Sequence, residues 1–310
     1  MQKDTRADAA MAEIMLALLD SMEASEAGTI DHTGTEFLHD FRVAVRRTRT
    51  ALTQLKSVMP THDLARFVAA FAWLGDITTP TRDLDIYLLK FKKLRHTLPK
   101  KLRGDLRPFR DYLETRQREE QARLADALRS ADYRKLKQEW RDFLTTGLSC
   151  DSTAVPAATP IGDFSHRRIW RMYKRVLREG RAITPASPAT ALHEMRKSCK
   201  KLRYLMEFFQ SLYPPKQVRR LIRELKTLQE NLGDFQDLQV QAHTLSGYYE
   251  NMRRAGTLQP PTRLAIDALQ DRLQHAASDA RGDFKRRFKR FSCKQNRQKF
   301  RQLFHDDTGQ

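Results

Sequence analysis

The chain has 310 residues, 31% charged and 40% apolar, a balance that excludes a disordered polymer and leaves enough length to bury a core. Only 12 Gly and 12 Pro interrupt it, and the intervals between them are rich in Leu, Ala, Arg, Lys, Glu and Gln, so the expected fold class is all-α. The formal net charge of +19 is uneven: residues 1–150 hold 26 basic and 22 acidic side chains, residues 151–310 hold 31 and 16. So large a surplus repels itself on a compact body and points to a polyanionic partner.

In chain order, helical patterns are expected over about 6–26, 35–58, 62–96 (one helix or a pair) and 105–145. Thr33 with Glu36 reads as a capping box for the second of these, and Pro60 ends it. Residues 145–162, rich in Thr, Ser, Ala, Pro and Gly, read as a linker. A second series follows over about 164–180, 188–213, 216–254 and 261–303, with Ser187 expected to cap, Pro188 at the first helical position and Pro214 as the stop. The expected division is therefore a first four-helix bundle over 1–145, a linker over 146–163 and a second bundle over 164–310, related by an approximate twofold.

The division rests on a repeat. Residues 38–60, LHDFRVAVRRTRTALTQLKSVMP, match residues 192–214, LHEMRKSCKKLRYLMEFFQSLYP, at a constant offset of 154 that holds as far as Asp83 and Asp237. Each repeat helix carries two stripes. The core stripe is Leu38, Phe41, Val45, Thr48, Leu52 and Leu55, matched by Leu192, Met195, Cys199, Leu202, Met206 and Phe209. One residue further on runs a basic stripe: His39, Arg42, Arg46 and Arg49, matched by His193, Arg196, Lys200 and Arg203, with Arg47, Lys197 and Lys201 widening it. Ten residues at 1.5 Å rise make each stripe about 15 Å long. Like charges one turn apart repel, and no carboxylate sits within the row, so the pattern suits an extended phosphate chain, which Arg meets bidentately and Lys as a point charge.

The doubled LHxxR motif, followed by basic residues and LRY and trailed by an (R/Q)DL segment, resembles the CHAD domain (conserved histidine α-helical domain) over about residues 6–303. The resemblance implies two four-helix bundles with pseudo-twofold symmetry and a basic central cavity that binds inorganic polyphosphate, in some bacterial members on polyphosphate granules. It carries the binding role to His39, Arg42, Arg46, Arg49, His193, Arg196, Lys200 and Arg203, with Arg47, Lys197, Lys201, Arg66 and Arg220 as contributors. Val43 and Thr50 stand where the second half has Lys197 and Tyr204, which weakens the first half's share. The Glu-x-Glu strand motif of the CYTH catalytic domain found in many relatives is not present in the sequence, so its activity is not inherited.

Other readings are narrower. His39 and His193 lack an orienting partner in sequence, since Asp40 and Glu194 lie about 100° away on the helix; no catalytic residue and no enzyme activity are expected. Asp83 and Asp85 suggest a magnesium pair, but the second half has Asp237 and Gln239, which favours structural carboxylates. Cys150, Cys199 and Cys293 are too few and scattered for a disulfide framework or a zinc site; a reducing compartment, and no metal or cofactor, is expected. No run of 18 apolar residues and no cleavable leader pattern is seen, so a cytoplasmic location without a membrane span is expected. From Arg281 to Arg301 ten basic residues face one acidic, an auxiliary surface that would attract nucleic acid or an anionic membrane. A non-specific nucleic-acid-binding protein is the first alternative, and a metal-dependent phosphohydrolase the second.

Overall fold

The computed structural model describes residues 2–54, 61–147 and 159–305. Within them the regular structure is helical, apart from one isolated bridge between Arg6 and Pro160 that ties the start of the first helix to the start of the second half. In chain order the helices are α1 (Ala7–Ala24), α2 (Glu26–Ile30), α3 (Thr35–Gln54), α4 (Thr61–Ile77), α5 (Thr79–His96), α6 (Arg107–Arg129) and α7 (Ala131–Asp142). The second half gives α8 (Ile161–Ala182), α9 (Ala189–Phe208), α10 (Pro215–Arg254), α11 (Pro260–Phe291) and α12 (Lys294–Phe304). None of these helices is long and apolar enough to cross a membrane.

The repeat helices α3 and α9 are 20 residues each, and both of their bounds differ by the same 154 positions. Every described member of their core stripes is buried; Leu55 lies outside the described residues. Cys199 is fully enclosed in that stripe, and burial pushes its thiol far above the ordinary range, so it packs as a small hydrophobe. Cys150 also lies outside the described residues.

Where the structure departs from the sequence reading, backbone chemistry supplies the reason. The 62–96 segment is a pair, α4 and α5, whereas its counterpart α10 runs unbroken for 40 residues. Pro80, in the first turn of α5, has no N–H for the preceding turn, and the residue 154 positions on is Asp234. Both long closing helices are split. Ser130 is extended (ψ 156°) and its hydroxyl accepts from the Tyr133 amide, starting α7; Cys293 is extended (ψ 157°) ahead of α12. Ser187 does not cap α9: its hydroxyl accepts from the Thr184 amide, and Pro188 takes the cap position. Helix α9 stops at Phe208 and a short 3₁₀ turn, Gln210–Leu212, leads to Pro214. Helix α3 begins one residue after Gly34, which leaves Thr33 outside the cap.

Two buried clusters hold the molecule, and each draws on both halves of the chain. The larger joins α1, α3, α4 and α7 (Met11, Phe41, Phe67, Trp140) to α8 through α12 (Tyr173, Met195, Leu225, Phe291, Phe300). The smaller sets Leu84, Tyr87, Phe91, Phe109 and Leu113 of α5 and α6 against Leu245, Met252, Ile266, Leu269 and Leu273 of α10 and α11.

Candidate polyanion-binding cavity

With its core stripe turned inward, each repeat helix carries the basic stripe about 100° to one side, and the contact between α3 and α9 brings the two stripes together. Arg46 of α3 donates from Nε to the Tyr204 hydroxyl of α9 at 2.7 Å. The Tyr204 ring is buried and carries the guanidiniums of Arg46, Arg47 and Arg203 within 5.9, 5.8 and 5.1 Å of its centroid. Three cations around one ring repel one another; its negative face relieves part of that.

The first half of α10 closes the third side and leaves an open cavity of about 750 Å³. It is lined by His39, Arg46 and Arg47 from α3, Arg203, Tyr204 and Glu207 from α9, and Arg219, Arg223 and Lys226 from α10, with Val43, Gln210 and Ile222 between them. Among the described residues Glu207 is the only carboxylate in the lining, held by Arg203 at 3.2 Å and Arg47 at 3.6 Å, against six cationic side chains. The Nε atoms of Arg47, Arg196 and Arg203 are buried without a hydrogen-bond partner, which leaves donor capacity for an anion.

Lys200 stands within the field of Arg46, Arg196 and Arg203, and among the described residues no carboxylate reaches ion-pair distance of its ammonium. Burial first, and then those guanidiniums, lowers its pKa to about 7, against a weaker opposing pull from Asp237. Arg42 is lowered to about 10, chiefly by burial; it is pinned by Gly75 O (3.1 Å), Thr78 Oγ1 (2.6 Å) and Thr79 Oγ1 (3.1 Å) at the break between α4 and α5. Arg196 faces Asp237 at 3.7 Å, and the same carboxylate lies 3.7 Å from Lys90. Asp83 feels both Arg42 and Asp237, and burial raises its pKa. Asp85 turns away to accept from Gln117 Nε2 at 3.0 Å, with His32 at 4.0 Å, so Asp83 and Asp85 serve separate neighbourhoods. Among the described residues no group of three or more His, Cys, Asp or Glu side chains is arranged to hold a metal.

The two histidines are placed differently. His39 Nδ1 lies 3.3 Å from Arg82 Nη2, and since a guanidinium only donates, Nδ1 accepts and Nε2 carries the hydrogen. Burial and Arg82 lower the His39 pKa, which favours this neutral form. His193 Nδ1 pairs with Gln236 Oε1 at 2.9 Å. Among the described residues neither ring is hydrogen-bonded to a carboxylate.

The structure thus brings together His39, Arg46, Arg47 and Arg203 in the cavity, with Arg42, Arg196 and Lys200 beside it. It places the remaining expected residues elsewhere. Arg66 pairs with Glu139 at 2.8 Å and lies over Phe67, Arg220 donates to Gln295 at 3.2 Å, and Lys197 pairs with Glu194 at 2.9 Å. Arg49 lies exposed over Gly75, and Lys201 sits beside Arg175, where burial lowers its pKa. Sequence reasoning missed Arg219, Arg223 and Lys226, which have the 4- and 3-residue spacing of one helix face. Their counterparts 154 positions back are Ala65, Ala69 and Ala72, so a search for repeated cations passes over them.

The described residues thus form an all-helical molecule with a cation-lined cavity between two repeat helices. The chain belongs to the CHAD domain family, whose model matches residues 13–246. Its fold is similar to that of the CHAD domain from the plant Ricinus communis, with a TM-score of 0.78 at 22% identity over 93% of each chain. It is also similar to PptA from Streptomyces chartreusis, with a TM-score of 0.69 at 14% identity over 92% of this chain and 100% of that one. No curated protein matches the chain in sequence.

Proposed function

We propose that the chain binds inorganic polyphosphate in the cavity between α3, α9 and α10, and binds it without turnover. The observation that carries this reading is the lining itself: among the described residues six cations face one carboxylate in a hollow of about 750 Å³, with the Lys200 ammonium in the field of Arg46 and Arg203. An extended chain with one charge per repeating unit offsets that repulsion along its whole length, which a single orthophosphate does not. Family membership supports the same ligand. The absence of an orienting carboxylate at His39 and His193 supports binding over catalysis. A cytoplasmic location, on polyphosphate granules, belongs to the same proposal.

The test is calorimetric titration with long-chain polyphosphate at physiological salt, with orthophosphate and duplex DNA as competitors. Tight, saturable binding of polyphosphate alone is expected. Arg46→Glu with Arg203→Glu should weaken it at least a hundredfold, since each charged hydrogen bond contributes about 1.5–3 kcal/mol. Arg116→Glu with Arg123→Glu on α6 should change it little, because those arginines already face Glu119 and Glu120. Equal losses from both pairs would reduce the cavity to diffuse charge, and release of orthophosphate with magnesium would overturn the non-enzymatic reading.

A further inference from the structure

A second cationic site lies on α8 and α12 and shares no residue with the cavity described above. Helix α12 folds back on α8 through stacked rings, Phe300 lying flat on Tyr173 at 3.8 Å. At the outer end of this contact is an open hollow of about 580 Å³ lined by Trp170, Lys294, Arg297, Gln298, Arg301 and His305. Among the described residues the lining holds an indole, an imidazole, an amide and three cations, and no carboxylate.

Trp170 is only partly buried, and its ring has three neighbours: His305 edge-on at 4.9 Å, Tyr173 tilted at 5.6 Å and the Lys174 ammonium 6.0 Å from its centroid. Lys294 and Arg297 are exposed, with no side-chain hydrogen bond or ion pair among the described residues. On α8 Arg167, Arg171, Lys174 and Arg178 are exposed and spaced 4, 3 and 4 along one face, a lane about 16 Å long from eleven residues of rise that meets the hollow where Lys174 lies over Trp170. Among the described residues none of these four pairs with a carboxylate.

Cations alone would suit any polyanion. The indole narrows the choice: a phosphate chain without rings gains nothing from a π-face, and a duplex keeps its base faces stacked inside. We infer that the α8–α12 lane is a binding site for single-stranded nucleic acid, with a base stacked on Trp170 and the backbone phosphates on Arg167, Arg171, Lys174, Lys294 and Arg297.

The experiment is fluorescence anisotropy of a labelled oligothymidylate of roughly 12 nucleotides, within the span a groove of this kind covers. The whole chain should bind it saturably, and the Trp170 emission should be quenched in step. Trp170→Ala should weaken binding by at least about fivefold, the loss a base–aromatic stack implies, and Trp170→Phe should restore most of it. Arg171→Glu with Lys174→Glu, both exposed, should weaken binding at least tenfold with unchanged helicity. In all of these variants polyphosphate affinity at the α3–α9–α10 cavity should stay the same, which also certifies the fold. Unaltered oligothymidylate binding by Trp170→Ala, or duplex DNA bound as tightly as the single strand, would overturn the inference. So would a parallel loss of polyphosphate binding, which would mean one shared surface.

Discussion

Lys200 shows how one side chain ties the proposed ligand to pH. Its ammonium is held near pKa 7 by burial and by Arg46 and Arg196, so at pH 8.5 the free protein carries it mostly neutral. A polyanion favours the charged form and raises the pKa again, so binding takes up a proton. Affinity should therefore rise as pH falls from 8.5 towards 6, and calorimetry in buffers of different ionisation enthalpy should detect the uptake. Lys200→Arg keeps its charge throughout and should flatten the profile; an equally steep profile in that variant would place the titrating group elsewhere. Burial and Arg82 hold the His39 imidazole below the ordinary histidine range, so it favours the neutral form. Tyr204 acts through another residue: its hydroxyl fixes Arg46 at 2.7 Å, so Tyr204→Phe should lower affinity about three- to tenfold while leaving helicity intact.

At the scale of the helix, the packing stripes were legible because burial enforces a period, and every described member of both is buried as read. The basic stripes were legible only in part. Arg46, Arg47 and Arg203 line the cavity, but Arg66, Arg220 and Lys197 are claimed by Glu139, Gln295 and Glu194. Glu139 and Gln295 stand 73 and 75 residues from their arginines and are not set by the repeat, so nothing in the sequence marked them, whereas Glu194 is the i−3 neighbour of Lys197 on α9. The breaks at Ser130 and Cys293 were illegible for a different reason: one extended residue leaves the helical period on either side nearly intact. The α10 row yields a direct test. Arg219→Glu, Arg223→Glu and Lys226→Glu, combined, should abolish polyphosphate binding although Ala65, Ala69 and Ala72 occupy the matching first-half positions. Packing between α8 and α11 supplies a second. A methyl at Gly180 would collide with the Phe288 ring. Overpacking costs about 1–3 kcal/mol, more than the 0.5–1 kcal/mol gained from better helix propensity, so Gly180→Ala should lower the melting temperature.

Across the whole molecule, both buried clusters are shared between the halves, and the Arg6–Pro160 bridge adds backbone ties, with Ile161 N donating to Thr5 O at 2.9 Å. Thermal unfolding should show one cooperative transition. Residues 159–310 expressed alone should bind a hydrophobic dye strongly, because Leu245, Leu269 and Leu273 lose the faces of α5 and α6 that cover them. Two separate transitions in the full chain would contradict this. Six cavity cations also set a scale for ionic strength: the logarithm of affinity should fall with the logarithm of salt at a slope of about −4, taking the single-strand coefficient.

The limited size of the cavity has a statistical consequence. A hollow of about 750 Å³ encloses only a short stretch of any polymer, while a long phosphate chain offers nearly as many starting registers as it has units. Each register is an equivalent way to bind, so a chain a hundred times longer is bound about 2.7 kcal/mol more tightly per chain with no new contact made. The same geometry lets many copies decorate one strand, so chain length sets how many protein molecules gather on a single polymer.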